Sequence, residues 1–125
     1  MFSSAFFKSR GNNSMDTLNK YREKIRYILA DYVSVPYSRG DIESRLIIGN
    51  DENNYLVMTL GWQDKKRVHG CIIHLEIIED KIWIHRDGTE YGIANELVNA
   101  GISKDKIVLG FHPANIRPYT DFAVN

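Results

Sequence analysis

From Ile42 to Arg86 the chain is a succession of β-prone runs separated by joints too short to hold a helix, and this pattern leaves little choice of fold. Ile42 to Ile48, Tyr55 to Trp62, Arg67 to Ile78 and Lys81 to Arg86 read as four strands, rich in branched and aromatic residues. Gly49-Asn50-Asp51-Glu52-Asn53-Asn54 joins the first pair, Gln63-Asp64-Lys65-Lys66 the second and Glu79-Asp80 the third. The Gly, Asn and Asp residues of such joints tolerate left-handed backbone. Parallel neighbours need a crossover of a dozen or more residues, so strands joined this closely run antiparallel, as a meander.

Helical spacing flanks the strands. Asp16 is placed to cap a helix whose apolar face is Leu18, Tyr21, Ile25, Ile28, Leu29 and Tyr32, ending near Pro36 and Gly40. Asp87 is the expected N-cap of a second helix, with Glu90 completing a capping box and Ile93, Ala94, Leu97 and Val98 as the apolar stripe. Gly101 and Ile102 supply its C-terminal signal. Lys106 to Phe111 then reads as a short strand able to join the sheet as an edge, parallel to one neighbour. The tail from His112 to Asn125 reads as extended and pinned by Tyr119 and Phe122. The expected fold class is α+β: a mainly antiparallel sheet of four to five strands, a meander, packed with two principal helices. Arg10-Gly11-Asn12-Asn13-Ser14 is rich in breakers and Met15 is an alternative start, so residues 1–14 read as a mobile N-terminal extension and 15–125 as a single domain.

A chain of 125 residues, 43% hydrophobic and 26% charged, is sized for one core and is not disordered in composition. Its 16 basic and 16 acidic residues cancel, and because Lys8 and Arg10 lie in the extension, residues 15–125 are slightly acidic. Proteins that grip DNA by themselves draw much of their affinity from a basic excess. DNA contact is therefore expected to be indirect; a direct contact would need Arg22, Arg26, Arg45, Lys65, Lys66 and Arg67 to gather on one surface. The sole cysteine, Cys71, allows no intramolecular disulfide and suits a reducing compartment. No apolar run approaches the roughly 20 residues that span a bilayer, and the N-terminus is a poor signal peptide, so a cytoplasmic protein without a membrane partner is expected.

Three stretches carry reactive side chains. In His69-Gly70-Cys71-Ile72-Ile73-His74, strict alternation sets His69, Cys71, Ile73, Leu75 and Ile77 on one face and His74 on the other. That leaves too few ligands for zinc and turns the Cys71 thiol towards the core, away from nucleophilic chemistry. In Trp83 to Glu90, Arg86 beside a helix N-terminus suggests an anion site, but Asp87 and Glu90 oppose it and only one glycine is present. An enzyme built on His85, Asp87 or His112 would lack any pair with role-defining spacing. No catalytic residue, cofactor or metal is expected. Tyr and Arg are favoured at binding hot spots, and the proline-stiffened tail presents both. Arg86, His112, Arg117 and Tyr119 are accordingly the candidate partner-binding residues.

Met15-Asp16-Thr17-Leu18-Asn19-Lys20-Tyr21-Arg22, Val68-His69-Gly70-Cys71, Lys81-Ile82-Trp83-Ile84, Arg86-Asp87-Gly88-Thr89-Glu90, Val108-Leu109-Gly110-Phe111-His112-Pro113 and Arg117-Pro118-Tyr119-Thr120 resemble, in order, the XisI family. The resemblance runs from Met15 to about Val124. Its members are described as controlling factors for excision of the fdxN element, a rearrangement in cyanobacterial heterocyst development. The resemblance implies a non-enzymatic regulator that binds XisH, a companion of nuclease-like fold, or a site-specific recombinase complex. Two related roles stay open: an inhibitor of an XisH-type nuclease, and a DNA-binding accessory factor. A meander also leaves strand edges to cover, which a homodimer would do.

Overall fold

The computed structural model describes residues 9–37 and 40–125, with side chains from Met15 onward. Helix α1 (Ser9–Ser34) precedes strands β1 (Asp41–Ile48), β2 (Asn54–Gln63), β3 (Lys66–Ile78) and β4 (Lys81–Asp87). Helix α2 (Ile93–Asn99) and strand β5 (Ile107–Leu109) follow. The sheet has the order β1-β2-β3-β4-β5, antiparallel except for β4 and β5, which run parallel across the α2 crossover. The fold is α+β, as the spacing of the strands and helices implied.

Both helices lie on one face of the sheet. Tyr21, Ile25 and Leu29 of α1 and Ile93 and Leu97 of α2 are buried. They meet Tyr55, Val57, Ile73, Leu75, Ile77, Ile82 and Ile84, the inward side chains of β2, β3 and β4. Completely burying such a side chain is worth about 1.5–3 kcal/mol, so this layer holds the fold together. Polar ties fix α1 in place. The Tyr21 hydroxyl donates to Asp80 O (3.0 Å), Arg22 donates to Asp51 O, Glu52 O and Asn53 Oδ1, and Lys24 Nζ donates to Ala100 O (2.6 Å) at the carbonyl end of α2.

Four local expectations are corrected. Helix α1 begins at Ser9, so Asp16 lies inside it and is not its cap. Of the mobile N-terminal extension expected over residues 1–14, residues 1–8 lie outside the described residues, and Ser9 to Ser14 form the first turns of α1. Helix α2 begins at Ile93 after Gly92, so Asp87 and Glu90 form no capping box. Asp87 still caps from a distance: its Oδ2 accepts from Ile93 N–H (2.8 Å) while Oδ1 accepts from the Thr89 amide and hydroxyl. The C-terminal signal holds, with Gly101 at φ 102° and the paired bonds Gly101 N→Val98 O and Ile102 N→Leu97 O closing the helix.

The tail is the third correction. It is folded into turns, with one 3-10 turn at Arg117–Tyr119, and is not extended. Phe122 packs against the core as expected, but Tyr119 is 86% exposed and pins nothing.

The fourth concerns β3. Cys71 pairs with Met58 and Ile73 with Val57, so Ile72 is an extra residue, a bulge. Alternation is reset there: Ile73, Leu75 and Ile77 face the helices while Cys71 and His69 face away, on the side that also carries His74. A second bulge at His85 resets β4, whose Arg86 pairs with His74.

Candidate interaction face

The sheet surface opposite the helices is built of cross-strand rows. Ile47, Leu56, His74 and Arg86 form one row across β1 to β4. Arg45, Met58 and Cys71 form the next, followed by Glu43, Leu60 and His69, then Asp41, Trp62 and Arg67. The result is an apolar column on β2, made of Leu56, Met58, Leu60 and Trp62, with polar and charged side chains on both flanks. None of these four belongs to the core cluster. Trp62 is 51% exposed and Ile47 49%. An apolar centre within a polar rim is the anatomy of a protein–protein interface.

The tail closes one end of this face. The Arg117 guanidinium sits 5.0 Å from the centre of the Trp83 ring, and its Nε donates to His112 O (3.0 Å). Gly110 fits against the same indole, where a Cβ would lie 3.0 Å from Trp83 Cε3. Next to Trp83, His85 Nε2 is 2.9 Å from Glu76 Oε1, and His74 Nε2 is 2.8 Å from Asn54 Oδ1. The two imidazoles are 4.8 Å apart. Burial, and then the neighbouring His85, pushes the His74 imidazole below its ordinary 6.5, with Glu76 pulling the other way.

Of the candidate binding residues, Arg117 and His112 are joined to each other, and Arg117 reaches the open face through Trp83. Arg86 lies on that face and donates to Cys71 O (3.4 Å), not to a carboxylate. Tyr119 stands free in solvent. His69, Cys71 and His74 share a face, contrary to strict alternation. Even so, no group of three His, Cys, Asp or Glu able to hold a metal occurs among the described residues. The α2 N-terminus is occupied by the Asp87 carboxylate, which removes it as an anion site.

Nor do the six basic residues gather on one surface. Arg22 and Arg26 engage the turn at the β1–β2 end, Arg26 pairing with Glu52 at 3.2 Å. Lys66 and Arg67 pair with Gln63 and Trp62 at the other end of β2, with Lys65 in the adjoining turn, about 30 Å away at the usual strand rise. A further cleft of about 450 Å3 lies between α1 and α2, walled by Tyr27, Tyr32, Tyr37, Asp31 and Glu96.

The residues missed in the sequence were those of the apolar column. Their signal was present: Tyr55 to Trp62 is apolar at both parities, whereas an antiparallel strand with one wet face alternates.

A family model described as XisI protein matches residues 15–124. Two solved structures from Anabaena variabilis are each 38% identical to the chain. One, a XisI-like protein, has a TM-score of 0.79 over 86% of this chain and 99% of its own. The other, fdxN element excision controlling factor XisI, has a TM-score of 0.74 over 87% and 99%. No curated protein matches.

Proposed function

Because the chain belongs to the XisI family, we propose that it is a controlling factor of DNA-element excision that acts by protein contact and performs no chemistry itself. The open sheet face docks on a nuclease-fold companion of the XisH kind, or on the recombinase complex, and DNA is reached through that companion. What supports this reading is the apolar column Leu56-Met58-Leu60-Trp62, left without a covering layer among the described residues. Arg86 and Arg117 with Trp83 would form its rim, and His112 would hold Arg117 in place. The dispersal of the basic residues favours indirect DNA contact over direct contact.

Co-expression with the genomic neighbour, followed by a sizing column with light scattering, tests it. The two chains should co-elute, and Met58→Asp or Leu60→Asp should separate them while the circular dichroism spectrum stays that of the parent. Co-elution that survives both substitutions would move the interface elsewhere. A companion that is toxic alone and harmless with this chain would specify the control as inhibition.

A further inference from the structure

The two edges of the sheet are treated differently. Along β5 the tail closes the edge: Ala123 N–H donates to Ile107 O (2.9 Å), and Ala123 bridges Val108 in parallel. Along β1 no described residue pairs with the outer side. Gly49 N–H donates to Asn54 O (2.9 Å), and the β1–β2 register then runs without a shift from Ile48↔Tyr55 to Asp41↔Trp62. Hydrogen-bonded pairs alternate along an antiparallel ladder. Ile47, Arg45 and Glu43 therefore turn their backbone groups to β2, while Ile48, Leu46, Ser44 and Ile42 turn theirs outward. An unbulged edge of eight residues without proline is a template for another strand.

We propose that a second copy of this chain fills that edge, the two β1 strands pairing antiparallel about a two-fold axis at Ser44. In this register Ser44 meets the partner's Ser44, and Ile42 meets the partner's Leu46 on the helix side. Glu43 meets the partner's Arg45 on the open side. The outward backbone groups are those of Ser44, Ile42 and Leu46, so the ladder and the side chains agree on one alignment. Sliding by two residues either way sets Glu43 against Glu43 or Arg45 against Arg45, and like charges directly opposite are unfavourable. A slip of one residue would set the outward backbone groups of one strand against partner residues whose own groups already serve β2, and no ladder would form. Ser44 Oγ is buried and has no hydrogen-bond partner among the described residues, and the dyad offers it one. Within one chain Glu43 and Arg45 already pair at 2.6 Å, so dimerisation links four charges across the axis.

The inference is independent of the docking partner and is tested on the chain alone. Light scattering should give about twice the 14.4 kDa monomer mass at micromolar concentration. Ser44→Pro deletes an outward N–H that β2 does not use and should yield a folded monomer. Should that variant fail to fold, charge reversal gives a separate test. Glu43→Arg and Arg45→Glu should each weaken the dimer at least about tenfold, by the like-charge contact they create, and the double reversal should restore it. A parent that stays monomeric, or a dimer indifferent to Ser44→Pro and to both single reversals, would overturn the proposal.

Discussion

Asp87 illustrates how one side chain can keep a role while the element around it moves. Its carboxylate serves the amide of Ile93 with one oxygen and the Thr89 amide and hydroxyl with the other, and thereby holds the whole loop between β4 and α2. Asp87→Ala leaves three donors without their acceptor and should lower stability by about 2 kcal/mol, read as a shift in the urea midpoint. Asp87→Asn retains one accepting oxygen and should lose less. His74 makes a second residue-scale case. It is surrounded by Asn54, Leu56, Glu76, His85 and Arg86, and its pKa lies below 6.5. The unfolded chain therefore takes up its proton first as the pH falls. The stability His74 contributes is complete above 6.5, declines as the pH drops through that value, and levels off below the folded pKa. Thermal unfolding from pH 8 to pH 5 should show this decline, and His74→Gln, which can still bond Asn54, should flatten it.

At the scale of elements, most of the fold was legible because its signals are local. Four strands with short joints admit only a meander, Gly101-Ile102 closes a helix, and the apolar stripes of both helices are those that pack. The errors came where one residue in the chain changes the count. Ile72 is apolar within an apolar run, so nothing in the composition distinguishes a bulge from continued alternation, and Cys71 was assigned to the wrong face. The helix starts were misplaced for a similar reason: Asp16 and Asp87 are good caps in isolation, and only the neighbouring structure decides whether the helix begins there. Glycines separate the two kinds of information. Gly61 sits at φ 147°, where a Cβ would come within 1.8 Å of Asp41 O on β1, while a Cβ on Gly70 would meet nothing within 4 Å. Gly61→Ala should cost about 2–4 kcal/mol in chemical denaturation by pushing β1 off the sheet, and Gly70→Ala should be close to neutral. A comparable loss at both would mean that β3, not the β1 contact, limits the sheet.

For the whole molecule, the two proposed surfaces have a joint consequence. Pairing β1 with its own copy about an axis perpendicular to the sheet keeps both helix layers on one side and both apolar columns on the other. The dimer then presents one continuous open face, twice as wide, with a Leu56-Met58-Leu60-Trp62 column on either side of the dyad. A companion that binds this face should assemble as two copies on two. Two linked sites also gain from effective concentration when the companion itself is dimeric, so removing the dyad should weaken binding without altering a single contact on the face. Ser44→Pro should therefore convert a two-plus-two complex into a one-plus-one complex of lower affinity, measured by light scattering and by titration. Met58→Asp should abolish binding but leave the dimer intact. If Ser44→Pro eliminated binding altogether while Met58→Asp did nothing, β1 itself would be the docking strand for the companion, and the open face would need another occupant.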